Sequence, residues 1–121
     1  MKNNTIFYLP NCGTCKRILE TLKPGKEVVL RDIKSSSITE AEIDGMKNLA
    51  GSYEALFSRV AMKYRQLGLD KMELKEADYR RLMLEEYTFL KRPTMVINGQ
   101  IFVGSAKKSV EGAAAALGKK A

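Results

Sequence analysis

The chain has 121 residues, 45% of them hydrophobic and 29% charged, which is the size and composition of one globular domain. It contains no histidine, so a Ser/His or Cys/His nucleophile pair is excluded, and its two cysteines cannot complete a four-ligand zinc site of nitrogen and sulfur ligands within one chain. The net charge of +7 suits a small anionic substrate, an acidic protein partner or nucleic acid.

The cellular location is suggested by apolar runs and by the placement of the cysteines. No apolar run reaches the roughly 18 residues that a membrane helix requires. The segment Thr5 to Leu9, which is followed by Pro10, is too short for the apolar core of a signal peptide. Both cysteines lie in one Cys-x-x-Cys motif, whereas a secreted disulfide scaffold spreads its cysteines along the chain. We therefore expect a cytoplasmic protein that has no contact with a membrane, and we expect it to be a monomer.

The first third of the chain has the pattern of a strand, a helix and a second strand. Thr5 to Leu9 has strand composition. A helix is predicted from about Gly13 to Leu22, with the apolar residues Ile18, Leu19 and Leu22 on one face. Val28-Val29-Leu30 lies within a second predicted strand, Glu27 to Ile33.

The middle of the chain is predicted to be helical. Thr39 with Glu42 is typical of a capping box, which opens a helix that runs to about Ala50. The segment from Tyr53 to Leu67 has a helical but broken pattern. Asp78 is expected to open a further helix that ends near Phe89.

The last third has the pattern of a hairpin followed by a helix. Thr94 to Ile97 is a predicted strand, and Asn98-Gly99 is a strong hairpin signal. Ile101 to Val103 is the expected partner strand. Ser105 is placed to cap a last helix, in which apolar residues recur at helical spacing.

This order of elements predicts the fold. A βαβ half and a ββα half, with one Cys-x-x-Cys after the first strand, are the pattern of a thioredoxin-like α/β fold around a four-stranded mixed sheet. We expect residues 1–121 to form a single thioredoxin-like domain that contains a helical insertion at residues 39–90. That insertion is longer than ordinary connections between elements.

Cys12 is the predicted nucleophile. It lies directly before the first helix, so its sulfur is expected to face the free N–H groups of the helix, which lower the pKa of a thiol. Lys16 and Arg17 add positive charge, Gly13 lets the backbone come close, and Cys15 lies one turn inward, within reach of a disulfide. The alternative is that both cysteines are small buried hydrophobes without a chemical role.

Arg92 and Pro93 are the second candidate pair. In thioredoxin-like folds a cis-proline before the third strand lies opposite the active cysteine, and Arg92 would then be carried close to Cys12, where a guanidinium can hold an oxyanion. The alternative is that Pro93 merely stops a helix. Among the basic residues of the middle segment, Arg59 is a further candidate for contact with the substrate.

These motifs resemble the arsenate reductase family of glutaredoxin type, which also contains the Spx-like regulators. The resemblance rests on Asn11-Cys12-Gly13-Thr14-Cys15 after the first strand, on Leu67-Gly68-Leu69, and on Arg92-Pro93 followed by the hairpin. It extends over nearly the whole chain.

The resemblance implies residue roles, and it also contains departures. In the arsenate reductases a cysteine thiolate attacks arsenate and three arginines hold the oxyanion. The cysteine corresponds to Cys12 and the arginine before the proline to Arg92. The middle arginine falls at about Ser58, one residue before Arg59, and the last falls near Gly104. Gly104 and the second cysteine, where the classical reductases carry serine, are similar to the Spx-like branch. The other residues implied in substrate binding are Gly13, Thr14, Arg59 and Pro93.

Two main functions follow from the resemblance. The first is a thiol oxidoreductase resembling arsenate reductase, in which Cys12 is the nucleophile and the product is released by glutathione with glutaredoxin or thioredoxin, or by Cys15. It implies a small oxyanion substrate such as arsenate, and no metal or organic cofactor beyond a thiol reductant. The alternative is an Spx-like regulator that binds RNA polymerase and uses Cys12 and Cys15 as a redox switch. A general disulfide reductase like glutaredoxin is a third and weaker interpretation.

Overall fold

The computed structural model describes residues 4–118, so residues 1–3 and 119–121 of the predicted domain lie outside the described part. The described chain divides into two compact units, one made of the residues up to Ser36 and from Arg92 onward, the other of Ser37–Lys91. The regular elements are β1 (Asn4–Tyr8), α1 (Gly13–Leu22), β2 (Val28–Asp32), α2 (Glu40–Ala50), α3 (Met62–Gln66), α4 (Glu76–Glu85), β3 (Thr94–Ile97), β4 (Gln100–Val103) and α5 (Lys107–Ala116). Short 3-10 helices lie at Glu54–Leu56, Leu69–Lys71 and Tyr87–Phe89.

The first unit contains a four-stranded sheet in the order β2-β1-β3-β4. β1 pairs with β2 in parallel and with β3 antiparallel, and β3 pairs with β4 antiparallel through the Asn98-Gly99 hairpin. A parallel pair needs a crossover connection, which α1 supplies, whereas the antiparallel pair needs only a tight turn. The α/β, thioredoxin-like fold expected from the sequence is confirmed.

Apolar side chains of β1, β3, α1 and α5 form the core of the first unit. Ile6, Met95 and Ile97 come from the strands, and Ile18 and Leu22 come from α1. α5 contributes the small residues Ala113 and Ala114, which are at most 2% exposed. Because these side chains are short, α5 packs close to the sheet.

Gly112 shows how close this packing is. A Cβ atom added at Gly112 would lie 2.6 Å and 2.8 Å from two ring carbons of Phe102 on β4. Gly112→Ala should therefore destabilise the protein by about 1 kcal/mol, because overpacking outweighs the better helix propensity of alanine. Urea unfolding measures the change. In a Phe102→Leu background the same substitution should become stabilising, and a stabilising effect in the wild-type background would contradict this prediction.

The second unit has its own core, centred on Phe57. The Phe57 ring lies 4.9 Å from the ring of Tyr79 and 5.0 Å from that of Phe89, measured between centroids. Phe57 also forms an antiparallel bridge with Leu90. These aromatic contacts hold together a segment whose helices are too short to be stable alone.

A polar network links α2 to α4 within the second unit. Arg80 of α4 donates to Asp44 of α2 at 2.8 Å, and the hydroxyl of Tyr53 donates to the same carboxylate at 2.6 Å. The Arg80 hydrogen bond, followed by the Tyr53 one, lowers the pKa of Asp44 to about 2.

Two predicted helix starts are wrong, and in both cases a neighbouring residue begins the helix. α4 begins at Glu76, and the Asp78 carboxylate accepts from the backbone N–H of Lys75 at 2.9 Å, so Asp78 stabilises the first turn from inside it. α4 also ends at Glu85, before the expected Phe89. The N-cap of α5 is Ala106, which has no side-chain cap, and not Ser105.

The broken helical pattern between Tyr53 and Leu67 is a 3-10 turn and the short helix α3. Phe57 adopts an extended conformation between them, with φ −86° and ψ 130°. The capping box at Thr39 and Glu42 is confirmed. Within residues 4–118 no helix combines the length and apolar character that crossing a membrane requires.

Candidate functional site at the start of the first helix

Cys12 is the N-cap of α1. After β1 ends at Tyr8, the Cys12 N–H donates to the Leu9 carbonyl at 3.3 Å, which turns the chain into the helix. Cys12 itself is extended, with φ −100° and ψ 112°. Its Sγ accepts a hydrogen bond from the backbone N–H of Cys15 at 3.5 Å. The sulfur thus takes the place that a serine or aspartate oxygen occupies at an ordinary N-cap.

The environment of Cys12 favours its thiolate. Desolvation by burial is the largest single influence and raises the pKa, but several donors together outweigh it. They are the backbone N–H and the thiol of Cys15, the backbone N–H of Thr14, and the charge of Arg92. The pKa of Cys12 therefore lies below its ordinary value, as expected for a sulfur at a helix N-terminus beside a cation.

Arg92 is the cation that lowers the Cys12 pKa most. Lys16 and Arg17, the cations expected from the sequence, are exposed residues of the first turns of α1. The difference arises because Arg92 precedes β3, next to β1 in the sheet, and is distant from Cys12 only along the chain.

Pro93 has a cis peptide bond to Arg92. Its carbonyl accepts the Gly104 N–H at 2.8 Å, which ties the start of β3 to the end of β4. Thr94, which follows, is fully buried. The pair Arg92-Pro93 is thus held by the sheet of the first unit.

Cys15, in contrast to Cys12, is a buried thiol whose pKa is raised. It is 0% exposed, and burial is the main reason why its pKa rises to about 11. The Cys12 sulfur raises that pKa further through a hydrogen bond and through its charge. Both cysteines are free thiols. One thiol of the motif is therefore accessible and easily ionised, and the other is shielded and protonated at neutral pH.

The space beside Gly13, which follows Cys12, is open. A Cβ added at Gly13 would meet no atom within 4 Å, so open space lies beside the first residue of α1. The contribution of the Thr14 and Cys15 amides comes from the backbone, and it was predicted from the strand-to-helix junction that places these N–H groups at a helix start.

Arg59 lies in the second unit and has partners there. Its Nη2 is 2.6 Å from the Glu54 carboxylate and 2.9 Å from the Tyr79 hydroxyl. The preceding residue, Ser58, is buried, and its backbone N–H donates to the Phe89 carbonyl. A substrate contact of Arg59 stays a prediction.

Gly104 is the residue near which the resemblance places the family's last arginine. Its φ is 85°, in the left-handed region where a side chain is strained, and a Cβ there would meet no atom within 4 Å. Backbone conformation, rather than lack of space, therefore disfavours an arginine here. Within residues 4–118 no group of three or more His, Cys, Asp or Glu side chains is arranged to hold a metal ion.

Solved structures support the fold. A protein named YffB has a TM-score of 0.78 and 24% identity over 95% of this chain and 99% of its own. An ArsC family related protein from Bacteroides fragilis has a TM-score of 0.76 and 22% identity over 92% of this chain and 98% of its own. An arsenate reductase (ArsC) related protein from Brucella melitensis has a TM-score of 0.68 and 25% identity over 91% and 92% of the two chains.

Family assignment rests on a different comparison. No curated protein matches the chain. The model of the ArsC family matches residues 7–113, which include the end of β1, the Cys12 motif, the helical segment, Arg92-Pro93 and the hairpin. This match spans most of the 121 residues and confirms the resemblance drawn from the motifs. The chain therefore belongs to the ArsC family.

Proposed function

We propose that this chain is a thiol oxidoreductase in which Cys12 attacks an oxidised substrate, with arsenate as the first candidate. One observation carries the proposal: the Cys12 sulfur accepts a helix N–H and has its pKa lowered by helix donors and by Arg92. A thiolate is the nucleophilic form of cysteine. The same cation can stabilise the negative charge of a bound oxyanion.

The reduction balances with two thiols. Arsenic acid takes two electrons and becomes arsenous acid, two thiols each lose one electron and one proton, and one oxygen leaves as water. Cys12 supplies the first thiol by forming a sulfur–arsenic bond. The second comes from glutathione, with glutaredoxin or thioredoxin to recycle the product, or from Cys15. No metal or organic cofactor takes part in this scheme.

The pKa of Cys15 explains how that thiol could act after Cys12. Part of its upward shift comes from the hydrogen bond and charge of the Cys12 sulfur. Once Cys12 is bound to a substrate, the sulfur no longer carries a negative charge. Cys15 then ionises more readily and can resolve the adduct, which leaves a Cys12–Cys15 disulfide.

Substrate contacts are proposed at four further residues. The Thr14 N–H bonds to the Cys12 sulfur, Gly13 begins α1 directly after Cys12, and Pro93 follows Arg92. Arg59, which follows the position of the family's middle arginine, would have to exchange its ion pair with Glu54 for the substrate. We propose that this chemistry takes place in a reducing compartment such as the cytoplasm.

Replacing each cysteine by serine tests the proposal and shows whether glutathione or Cys15 supplies the second thiol. Cys12→Ser should abolish arsenate reduction with glutathione and glutaredoxin, because a hydroxyl is not ionised there. Cys15→Ser should retain turnover if glutathione is the second thiol, and should lose it if Cys15 resolves the adduct. Product arsenite is measured directly, and mass spectrometry after mild peroxide treatment detects a sulfenic acid or a glutathione adduct on Cys12 of Cys15→Ser. Full activity of Cys12→Ser would refute both versions.

Gly104 favours a second candidate function. The resemblance places the last oxyanion-binding arginine near Gly104, which has φ 85° and is similar to the glycine of the Spx-like branch. A clamp of three arginines around arsenate would then be incomplete. An Spx-like protein would bind RNA polymerase and respond to oxidation through Cys12 and Cys15. A pull-down with purified polymerase, run with reduced and with oxidised protein, tests this. Redox-dependent binding without arsenate turnover would favour the regulator over the enzyme.

A further inference from the structure

Asn98, in the turn between β3 and β4, connects three separate parts of the first unit. Its backbone N–H donates to the side-chain carbonyl of Asn4 at 2.9 Å, and the Asn4 amide donates back to Asn98 Oδ1 at 3.4 Å. The Asn98 Nδ2 donates to the Ala116 carbonyl at 2.7 Å. Asn98 therefore joins the hairpin to the first residue of β1 and to the last residue of α5.

Asparagine is well suited to this position in both its backbone and its side chain. Asn98 has φ 52°, the left-handed conformation that a tight hairpin turn requires and that asparagine tolerates. The last carbonyls of a helix have no N–H partner inside that helix, and Ala116 ends α5. The Asn98 side chain supplies the missing donor, so it holds the end of α5 against the hairpin.

The pair Asn98-Gly99 also has a chemical property. The Gly99 nitrogen can attack the side-chain carbonyl carbon of Asn98, because glycine has no side chain to hinder the approach. A nitrogen–carbon bond forms, the side-chain nitrogen leaves as ammonia together with the Gly99 amide proton, and a succinimide ring remains. Water then opens the ring at either carbonyl and gives aspartate or isoaspartate. This reaction needs only water, without an oxidant or a reductant.

The contacts of Asn98 in the folded chain oppose that reaction. Asn98 is exposed, so water reaches it. Ring closure, however, needs the side-chain amide to turn toward the Gly99 nitrogen, and both ends of the amide are held, Oδ1 by Asn4 and Nδ2 by Ala116. The reactive geometry is therefore reached only when the junction of β1, the hairpin and α5 opens locally.

We propose that Asn98 is a spontaneous deamidation site whose contacts with Asn4 and Ala116 keep the reaction slow in the folded chain. The consequence of the reaction falls on α5. Aspartate at this position replaces the Nδ2 donor by a negative charge beside the Ala116 carbonyl, at the negative end of the helix dipole. Isoaspartate lengthens the backbone of the tight turn. Either product loosens the end of α5 from the hairpin, and the change is irreversible.

Removing the Asn4 side chain gives the decisive experiment. Asn4→Ala deletes both hydrogen bonds between Asn4 and Asn98, and it should raise the rate of deamidation at Asn98 at least about 5-fold. The folded wild type should react at least about 10-fold more slowly than the same chain unfolded in urea. The protein is incubated at mildly alkaline pH, and mass spectrometry of the peptide that contains Asn98 follows the replacement of NH by O.

Asn98→Asp tests the consequence for α5 separately. It should lower the ratio of folded to unfolded protein at least about 5-fold, as measured by urea unfolding. Added salt should restore part of the loss, because a charge at an exposed position is screened. An Asn98→Asp chain as stable as the wild type would overturn this part of the proposal.

Asn48→Ala is the matched control, since it makes the same change at an exposed asparagine of α2 in the second unit. It should leave the rate at Asn98 unchanged. Circular dichroism and urea unfolding verify that each variant stays folded during the incubation. Equal rates in the folded and the unfolded wild type, or equal rates in Asn4→Ala and the wild type, would show that these contacts do not protect Asn98.

Discussion

At about pH 7, iodoacetamide should alkylate Cys12 at least about 20-fold faster than Cys15. The ionised fractions favour Cys12, because burial raises the pKa of Cys15 to about 11 whereas the pKa of Cys12 is lowered. A thiolate of higher pKa is intrinsically more reactive, so the ratio of the two alkylation rates is smaller than the ratio of the ionised fractions. Because Cys15 is 0% exposed, iodoacetamide reaches it slowly, and this increases the difference between the two alkylation rates further.

Single-cysteine variants make this measurement clean. Cys15→Ser reports Cys12, Cys12→Ser reports Cys15, and mass spectrometry follows each rate against pH. The rate for Cys12 should reach half of its maximum below the ordinary pKa of a thiol, about 8.5. Equal rates for the two variants, or a midpoint above the ordinary value for Cys12, would contradict the assignment of Cys12 as the activated thiol.

Arg92→Lys should lower kcat/KM for an oxyanion substrate by about 100-fold while the fold is retained. The positive charge persists in this variant, but lysine cannot make the planar two-pronged contact that guanidinium makes with an oxyanion. The Cys12 pKa should stay low for the same reason. Arg92→Ala removes both the positive charge and the two-pronged contact. The pKa of Cys12 should then rise, because the charge of Arg92 lowers it.

Two measurements separate the charge of Arg92 from its geometry. The pH dependence of Cys12 alkylation reports the charge, and protection of Cys12 by arsenate reports oxyanion binding. Arg81→Lys, at an exposed arginine of the second unit, is the control and should change neither. Unchanged protection in Arg92→Lys would show that the two-pronged contact is not made.

The position of Cys12 was predictable because it depends on local rules. A short strand, then Pro10, then a helix whose apolar residues recur at helical spacing place a cysteine at a helix start, and the structure has it there. The order of the remaining strands followed from Asn98-Gly99 and from the pattern of apolar runs. These features involve residues that are close in sequence.

Features that depend on distant residues were harder to predict. Arg92, far along the chain, was predicted to lie close to Cys12, but its effect on the pKa of Cys12 was not, and residue types near the motif pointed instead to Lys16 and Arg17. The start of α5 was misplaced because Ser105 is a good capping residue by type, although its neighbour Ala106 takes that position. Capping preference is a tendency, and tertiary packing overrides it.

The hydrogen bonds to the Cys12 sulfur have a consequence for the end of a catalytic cycle. A sulfur bound to a substrate or to glutathione must eventually depart from it, and a thiol of low pKa is the better leaving group. The Cys15 N–H, 3.5 Å from that sulfur, is already in place to receive the departing thiolate. The start of α1 therefore favours the breaking of a bond to Cys12 as much as its formation, and adducts on this sulfur should be short-lived.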